Sequence, residues 1–526
     1  MLERGAVEGQ VFHRGAVQAL GAETGRLSGL VRKELVRPET TQFSGDDAYR
    51  FRHILIRDAA YDALPKAARA ELHEGFADWL GQHANDLVER DEILGYHLEQ
   101  AYRYRAELGP VDDQGRRLAE RAALCLATGA RSARLRGDYE AARTLFARAT
   151  DLLPEGTPAC VELDLERSRV LFEAGHLEGL EALVVACARA AAELSDERLM
   201  ALARLEELIV STHVRSDVVF DTAAFDPPIA VLEGLGDEVG LALGLAYRGR
   251  IDFYRGNSVS ALGDYERAIE IVERLGLLRD KREWKQWALA AHYWGSTPLP
   301  EVWPVVEELM EEDARLGVVV RSAPLLGAAV LAMTGEFEEA RAMLTEALPV
   351  ARELGVVAAG LIGMGGGQVE LLAGAPDAAI ELFRESWDRY AEIGETGFRS
   401  TIGTLLARAL IEVGRTEEAE QVLDETESFV QADDFDPQAR LRWVRALILA
   451  SRGETAEAER LAREAVALVE PTDYLEMRAD AHVALGKVLA AANKDDEAHE
   501  AWARALALYE QKGITVRVAQ LREHLS

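Results

Sequence analysis

The chain has 526 residues, 48% of them hydrophobic, and a formal charge of −32 at neutral pH. Apolar content on that scale supports a large core, either as several ordinary domains or as one long repeat array. The negative field repels phosphate before any local contact forms, which argues against nucleic acid as a partner of the long acidic part.

Only three cysteines occur, Cys125, Cys160 and Cys187, with no CxxC and no histidine spacing that completes a zinc site. They read as small core residues of a reducing compartment. The N-terminus lacks the basic, apolar and small-residue order of a signal peptide, and the longest uncharged stretch, Leu354 to Val369, is short for a bilayer and rich in glycine. The expected location is the cytoplasm.

In chain order, helical patterns come first, over Glu8 to Leu20 and Leu27 to Leu35. Then come Arg37-Pro38, a polar loop with Gly45, and an arginine and aromatic run from Tyr49 to His53. Breakers around short extended pieces predict a small β-hairpin between helices, so residues 1–85 read as a winged-helix-like module. Residues 1–70 hold eleven Lys/Arg against nine Asp/Glu. That excess supports no more than weak phosphate contact. Linking helices fill 86–118.

From about residue 119 to 526 a phrase recurs: a loop glycine, then alanine five residues later, a bulky apolar residue four later, and a small residue three later. Copies include Gly137, Ala142, Phe146, Ala149; Gly256, Ala261, Tyr265, Ala268; and Gly335, Ala340, Leu344, Ala347. From Gly335 the loop residue returns at Gly374, Gly414, Gly453 and Asn493, a step of 39 or 40. Twelve residues before each marker alanine stands another small residue: Ala130, Gly249, Ala328, Gly367, Ala407, Ala446 and Gly486. Small residues on both partners let two helices approach closely, which marks a helical hairpin. Gly175 and Gly295 fall on the same grid, a degenerate copy belongs near Ser216, and Asp226-Pro227-Pro228 interrupts the pattern there. The prediction is an all-α solenoid of about ten hairpins, closed by a polar cap at Ile514 to Leu525.

At these positions the chain resembles the tetratricopeptide repeat, with Pro154 where that family often stops its second helix, although the period exceeds the family's 34. The phrase Tyr49-Arg50-Phe51-Arg52-His53-Ile54-Leu55-Ile56-Arg57-Asp58-Ala59-Ala60-Tyr61, with Gly95-Tyr96-His97-Leu98-Glu99-Gln100-Ala101 further on, is similar to the segment after the nucleotide-binding domain in bacterial signal-transduction (STAND-type) ATPases. Adenylate/guanylate cyclase proteins with such a module are included in that resemblance. It implies a phosphate-sensing role for His53, provided an NTPase domain is present. No GxxxxGK[ST] motif occurs here, so no cofactor is expected; ATP or ADP enters only with an NTPase supplied upstream or in trans. The resemblance implies the regulatory half of such a protein.

No catalytic constellation stands out. His73, Glu74, His83 and His97 match no metal-ligand spacing, and Gly363, Gly365, Gly366 and Gly367 read as a close helix crossing with no lysine following. The stripe Trp284, Trp287, Ala291, Trp294 reads as core. If the hairpins pack as in the resembled family, Arg250, Phe253, Lys285, His292, Gln368, Arg408 and Trp443 face a concave groove that suits a peptide or an acidic ligand. The leading expectation is a non-enzymatic sensor that binds a protein, peptide or small effector and passes its occupancy to an NTPase or cyclase module in cis or trans. A free-standing scaffold or adaptor is the second. The ATPase or cyclase activity of the full-length family is a third, which this chain lacks the motif to perform.

Overall fold

The computed structural model describes residues 1–41, 46–83, 87, 89–215, 219–316, 322–353 and 360–525. They form two compact units, Met1–Val170 and Leu171–Ser526, with the division inside the helix Pro158–Ala174.

The first unit opens with a three-stranded antiparallel sheet of β1 (Val11–His13), β2 (Val36–Glu39) and β3 (Ala48–Phe51), in the order β1-β3-β2. Pro38 sits on β2, an edge strand, where its missing N–H is tolerated. Short helices around the sheet bury Ala6, Phe12, Val17, Leu27, Val36 and Phe51, completing a small sheet-and-helix module. The helix expected over Glu8 to Leu20 is instead two, Leu2–Glu8 and Arg14–Ala19, because Val11 and Phe12 pair with β3 and Phe12 fills the core. The second helix is Leu27–Arg32, ending short of Leu35. The hairpin is β2–β3; Gly45 lies outside the described residues.

Beyond the sheet, the helices Lys66–His83, Arg90–Leu108, Asp113–Arg136 and Tyr139–Asp151 share one apolar layer around Phe76, Leu80, Leu98, Leu126 and Phe146. A polar chain runs beside it. His73 and His97 share a hydrogen bond between their Nδ1 atoms (2.8 Å), His73 Nε2 meets the Tyr61 hydroxyl (2.7 Å), and that hydroxyl meets Tyr104 (3.0 Å). Burial, helped by the Arg57 and Arg69 cations, pulls His73 down to about 4, and burial also lowers His97.

The second unit carries most of the helical hairpins that the spacing predicts from residue 119, while the first copy, Gly137 to Ala149, lies in the first unit. Ala340, Ala379, Ala419 and Ala458 are all fully buried at equivalent places in successive hairpins. The small residue twelve positions earlier lies at the crossing: a Cβ on Gly249 would stand 3.1 Å from the Ala261 carbonyl oxygen, and one on Gly367 would stand 2.6 Å from the Phe383 ring. The loop residue takes the left-handed conformation, with φ of 98° at Gly335 and 58° at Asn493, the latter tolerated because asparagine visits this region more readily than most residues. Gly295 departs from its grid position by being extended. Pro227 and Pro228 start a helix, Asp226–Leu235, in the first turn, where proline is at home. Ser216 lies outside the described residues. Gly363 and Gly365 to Gly367 form a single π-helical turn, Ile362–Gly367, pressed against Leu325, Phe383 and Ile402. A helix Thr515–Leu525 ends the array.

A second set of contacts joins hairpins that are far apart in sequence. The Tyr474 hydroxyl donates to the Phe253 carbonyl (2.7 Å), and Ser258 donates to Asp473 (2.6 Å). Gln431 donates to the Thr212 and Arg215 carbonyls (both 2.8 Å). The fully buried ammonium of Lys512 donates to the carbonyls of His292 (3.0 Å), Gly295 (2.7 Å) and Thr297 (2.7 Å). The separations lie between 215 and 221 residues, so hairpins roughly five and a half repeats apart meet at these contacts. Gly256 allows one of these approaches, since a Cβ there would stand 2.7 Å from Thr472 and 2.8 Å from Phe435.

Candidate ligand cavity

Where distant hairpins meet, the first helices of successive repeats leave a cavity of about 1030 Å³, counted to its open mouth. Glu238–Tyr254 contributes Phe253 and Tyr254; Leu278–Trp294 contributes Gln286, Trp287, Ala290 and Trp294. Ser322, Leu326, Leu361 and Met364 continue the wall. Gly397–Glu412 adds Phe398 and Thr401, and the far side is closed by Asp434, Phe435, Asp436 and Tyr474. Thr212, His213 and Phe220 complete the lining.

Aromatic rings dominate. Phe253 meets Trp294 (5.8 Å, edge-on), Trp287 (6.1 Å) and Tyr474 (5.8 Å), while Tyr254 meets Phe220 (5.6 Å) and Phe398 (6.5 Å). Such a wall offers large, stiff apolar area and negative ring faces. Arg250 stacks on Trp287 (4.3 Å to the ring centre), with Glu283 at 3.8 Å. His213 is buried beside Glu395 (3.7 Å); burial lowers its pKa, and Glu395 opposes that shift only in part. The Glu395 carboxylate is itself held by the N–H groups of Gly397 and Phe398 (both 2.9 Å).

Of the residues expected to face a groove, Phe253 lines the cavity and Arg250 backs its wall. The others lie elsewhere. Lys285 pairs with Glu308 (2.8 Å) and Glu312 (2.9 Å); the His292 ring bonds Thr297 (3.0 Å); Gln368 is buried beside the π-helical turn. Arg408 makes a buried ion pair with Asp480 (2.6 Å), and Trp443 is core, beneath Arg440. Burial alone would raise Asp480, but Arg408 and Arg517 hold it near 2. In the stripe read as core, Trp284 and Ala291 are buried, whereas Trp287 and Trp294 reach the cavity. His53, in the first unit, is exposed and caps the helix Ile54–Asp62, its Nδ1 accepting from the Leu55 N–H (3.2 Å).

Among the described residues no cluster of three His, Cys, Asp or Glu side chains could hold a metal ion, and the three cysteines are free thiols. No helix among them is long and apolar enough to cross a membrane.

No family model matches the chain, and no curated protein sequence matches it. Solved structures do. A Rap protein complexed with Competence and Sporulation Factor is similar over 69% of this chain and 99% of its own, at 17% identity and a TM-score of 0.50. The APC/C hetero-tetramer Cut9-Hcn1 matches over 89% of this chain and 92% of its own (14% identity, TM-score 0.49). A STAND protein with a tetratricopeptide repeat sensor from Pyrococcus horikoshii matches over 81% and 62% (12% identity, TM-score 0.34). The class this defines is a tetratricopeptide-like helical solenoid behind a small sheet-containing module.

Proposed function

We propose that the chain is a non-catalytic sensor: a peptide, protein segment or small effector occupies the solenoid cavity, and the N-terminal module, residues 1–85, relays that occupancy to an NTPase or cyclase module in cis or trans. The observation that carries the reading is the cavity itself, walled by eight aromatic side chains drawn from hairpins far apart in sequence. Unsatisfied apolar area in a concave, preformed site is the usual signature of a ligand pocket. The Rap protein of similar fold is a complex with Competence and Sporulation Factor, which supports the reading by analogy of architecture. Relay requires that the ligand bind two arrangements of the chain with different affinity, and His53 takes a part in it only where an NTPase domain is present.

Selection of a phage-displayed hexapeptide library on the full chain tests this. Enriched sequences that bind the wild type and fail on Trp287→Ala/Phe398→Ala, with unchanged melting, are the expected result. Equal binding to both proteins would place the site elsewhere.

A further inference from the structure

One acid in the cavity wall has no cationic partner among the described residues. Asp436 pairs with Arg440 (2.5 Å), Glu395 is held by backbone N–H groups, and Asp473 accepts from Ser258 and Val259. Asp434, half-buried and lining the cavity, has no ion pair among the described residues. Burial and the neighbouring Asp436, Asp433 and Glu395 push its carboxyl well above the ordinary range, opposed by a hydrogen bond from the Asp436 backbone; no cation is among these groups, and a bound cation would favour the ionised form. A second group also points to a ligand: Ser322 is 5% exposed, lines the same cavity, and its hydroxyl has no hydrogen-bond partner among the described residues. A buried hydroxyl without a partner costs free energy that a bound polar group would recover.

We propose that the cavity takes a peptide carrying a lysine or arginine between apolar side chains, with the cation against Asp434 and the aromatic faces and a polar peptide group on the Ser322 hydroxyl. This rests on the cavity being the binding site and adds the charge and class of what enters it. Ring faces attract cations and do so most strongly where water is excluded, and the same wall accepts the flanking apolar side chains. The lining is broad, with eight aromatic side chains drawn from hairpins far apart in sequence, which favours a peptide with several side chains over a simple amine.

A positional-scanning hexapeptide library, amidated and acetylated so that side chains alone carry charge, is screened on the full chain and on Asp434→Asn. Phenethylamine, phenethyl alcohol and phenylacetate are titrated in parallel by calorimetry. The expected result is Lys or Arg enriched at one position flanked by apolar residues, with affinity for the selected peptide falling about tenfold or more in Asp434→Asn. Its norleucine analogue should lose little between the two proteins. Apolar enrichment without a preference for cations, a preference for Asp or Glu, or equal cation preference in Asp434→Asn overturns this inference while leaving the cavity as a binding site. Tight binding of phenethylamine with no peptide enriched overturns the peptide assignment. No enrichment and no titration signal would remove both readings.

Discussion

Two faces of the same helices in the second unit are built with opposite chemistry. Where hairpins cross, side chains are cut down to glycine and alanine, so that Gly486 lies under the Trp502 ring and Gly249 against the Ala261 carbonyl. Where the helices turn toward the cavity, Phe253, Trp287, Trp294 and Phe398 are large, and part of their surface stays uncovered. Close packing stabilises one face; on the other, apolar area remains available to a ligand. Stability and binding should therefore respond to different substitutions.

The largest expected effect is on the stability side. Arg408→Ala leaves the Asp480 carboxylate buried without its closest cation and should cost about 3–5 kcal/mol in urea unfolding. Loss of a partner by such a variant would then report unfolding, whatever the binding site. Lys512→Met strips three buried carbonyls of their donor and should cost about 3 kcal/mol, whereas Lys494→Met, at an exposed pair with Glu459, should cost less than about 1 kcal/mol.

The first unit supplies a contrast in pH. His73 titrates near 4 in the folded chain against about 6.5 unfolded, so the stability it contributes is present above about 6.5 and lost as pH falls toward 4. The shift corresponds to roughly 3 kcal/mol, read as increased proteolysis within Lys66–His83 on acidification, and His73→Leu/His97→Leu should flatten that profile. Gly367→Ala, which pushes a Cβ into the Phe383 ring, should cost about 1–3 kcal/mol. The smallest effect belongs to the cavity. Asp434→Asn removes an acid without a cation and should change stability by less than about 1 kcal/mol, or raise it, while acting on binding.

The packing face was legible in the sequence because it is local. A small residue, a left-handed loop residue and a marker alanine lie within twelve positions of one another, and each hairpin repeats them. The cavity was not, because its wall joins residues about 215 to 220 positions apart, such as Phe253 and Tyr474, and no periodicity records which repeat meets which. Trp287 and Trp294 show the ambiguity: a helical stripe of tryptophans is the same string whether its far side meets a core or an opening. Arg408 and Lys285 looked available for a ligand because charge on a first helix is visible in sequence, while the acids that engage them, Asp480 and Glu308/Glu312, are not adjacent to it. At the N-terminus β1 was hidden inside an apparent helix, since three residues are too few to set a strand period.

Closure of the array at this long offset is what creates the cavity, and it can be tested by one covalent link. Ser258→Cys/Asp473→Cys puts thiols on two residues whose side chains now meet through a hydrogen bond (2.6 Å). Mild oxidation of the full chain should give a nearly quantitative intrachain disulfide, seen as a shift on a non-reducing gel, with the folded signal intact. A double variant that stays folded and reduced under the same oxidation would contradict the closure, and with it the cavity.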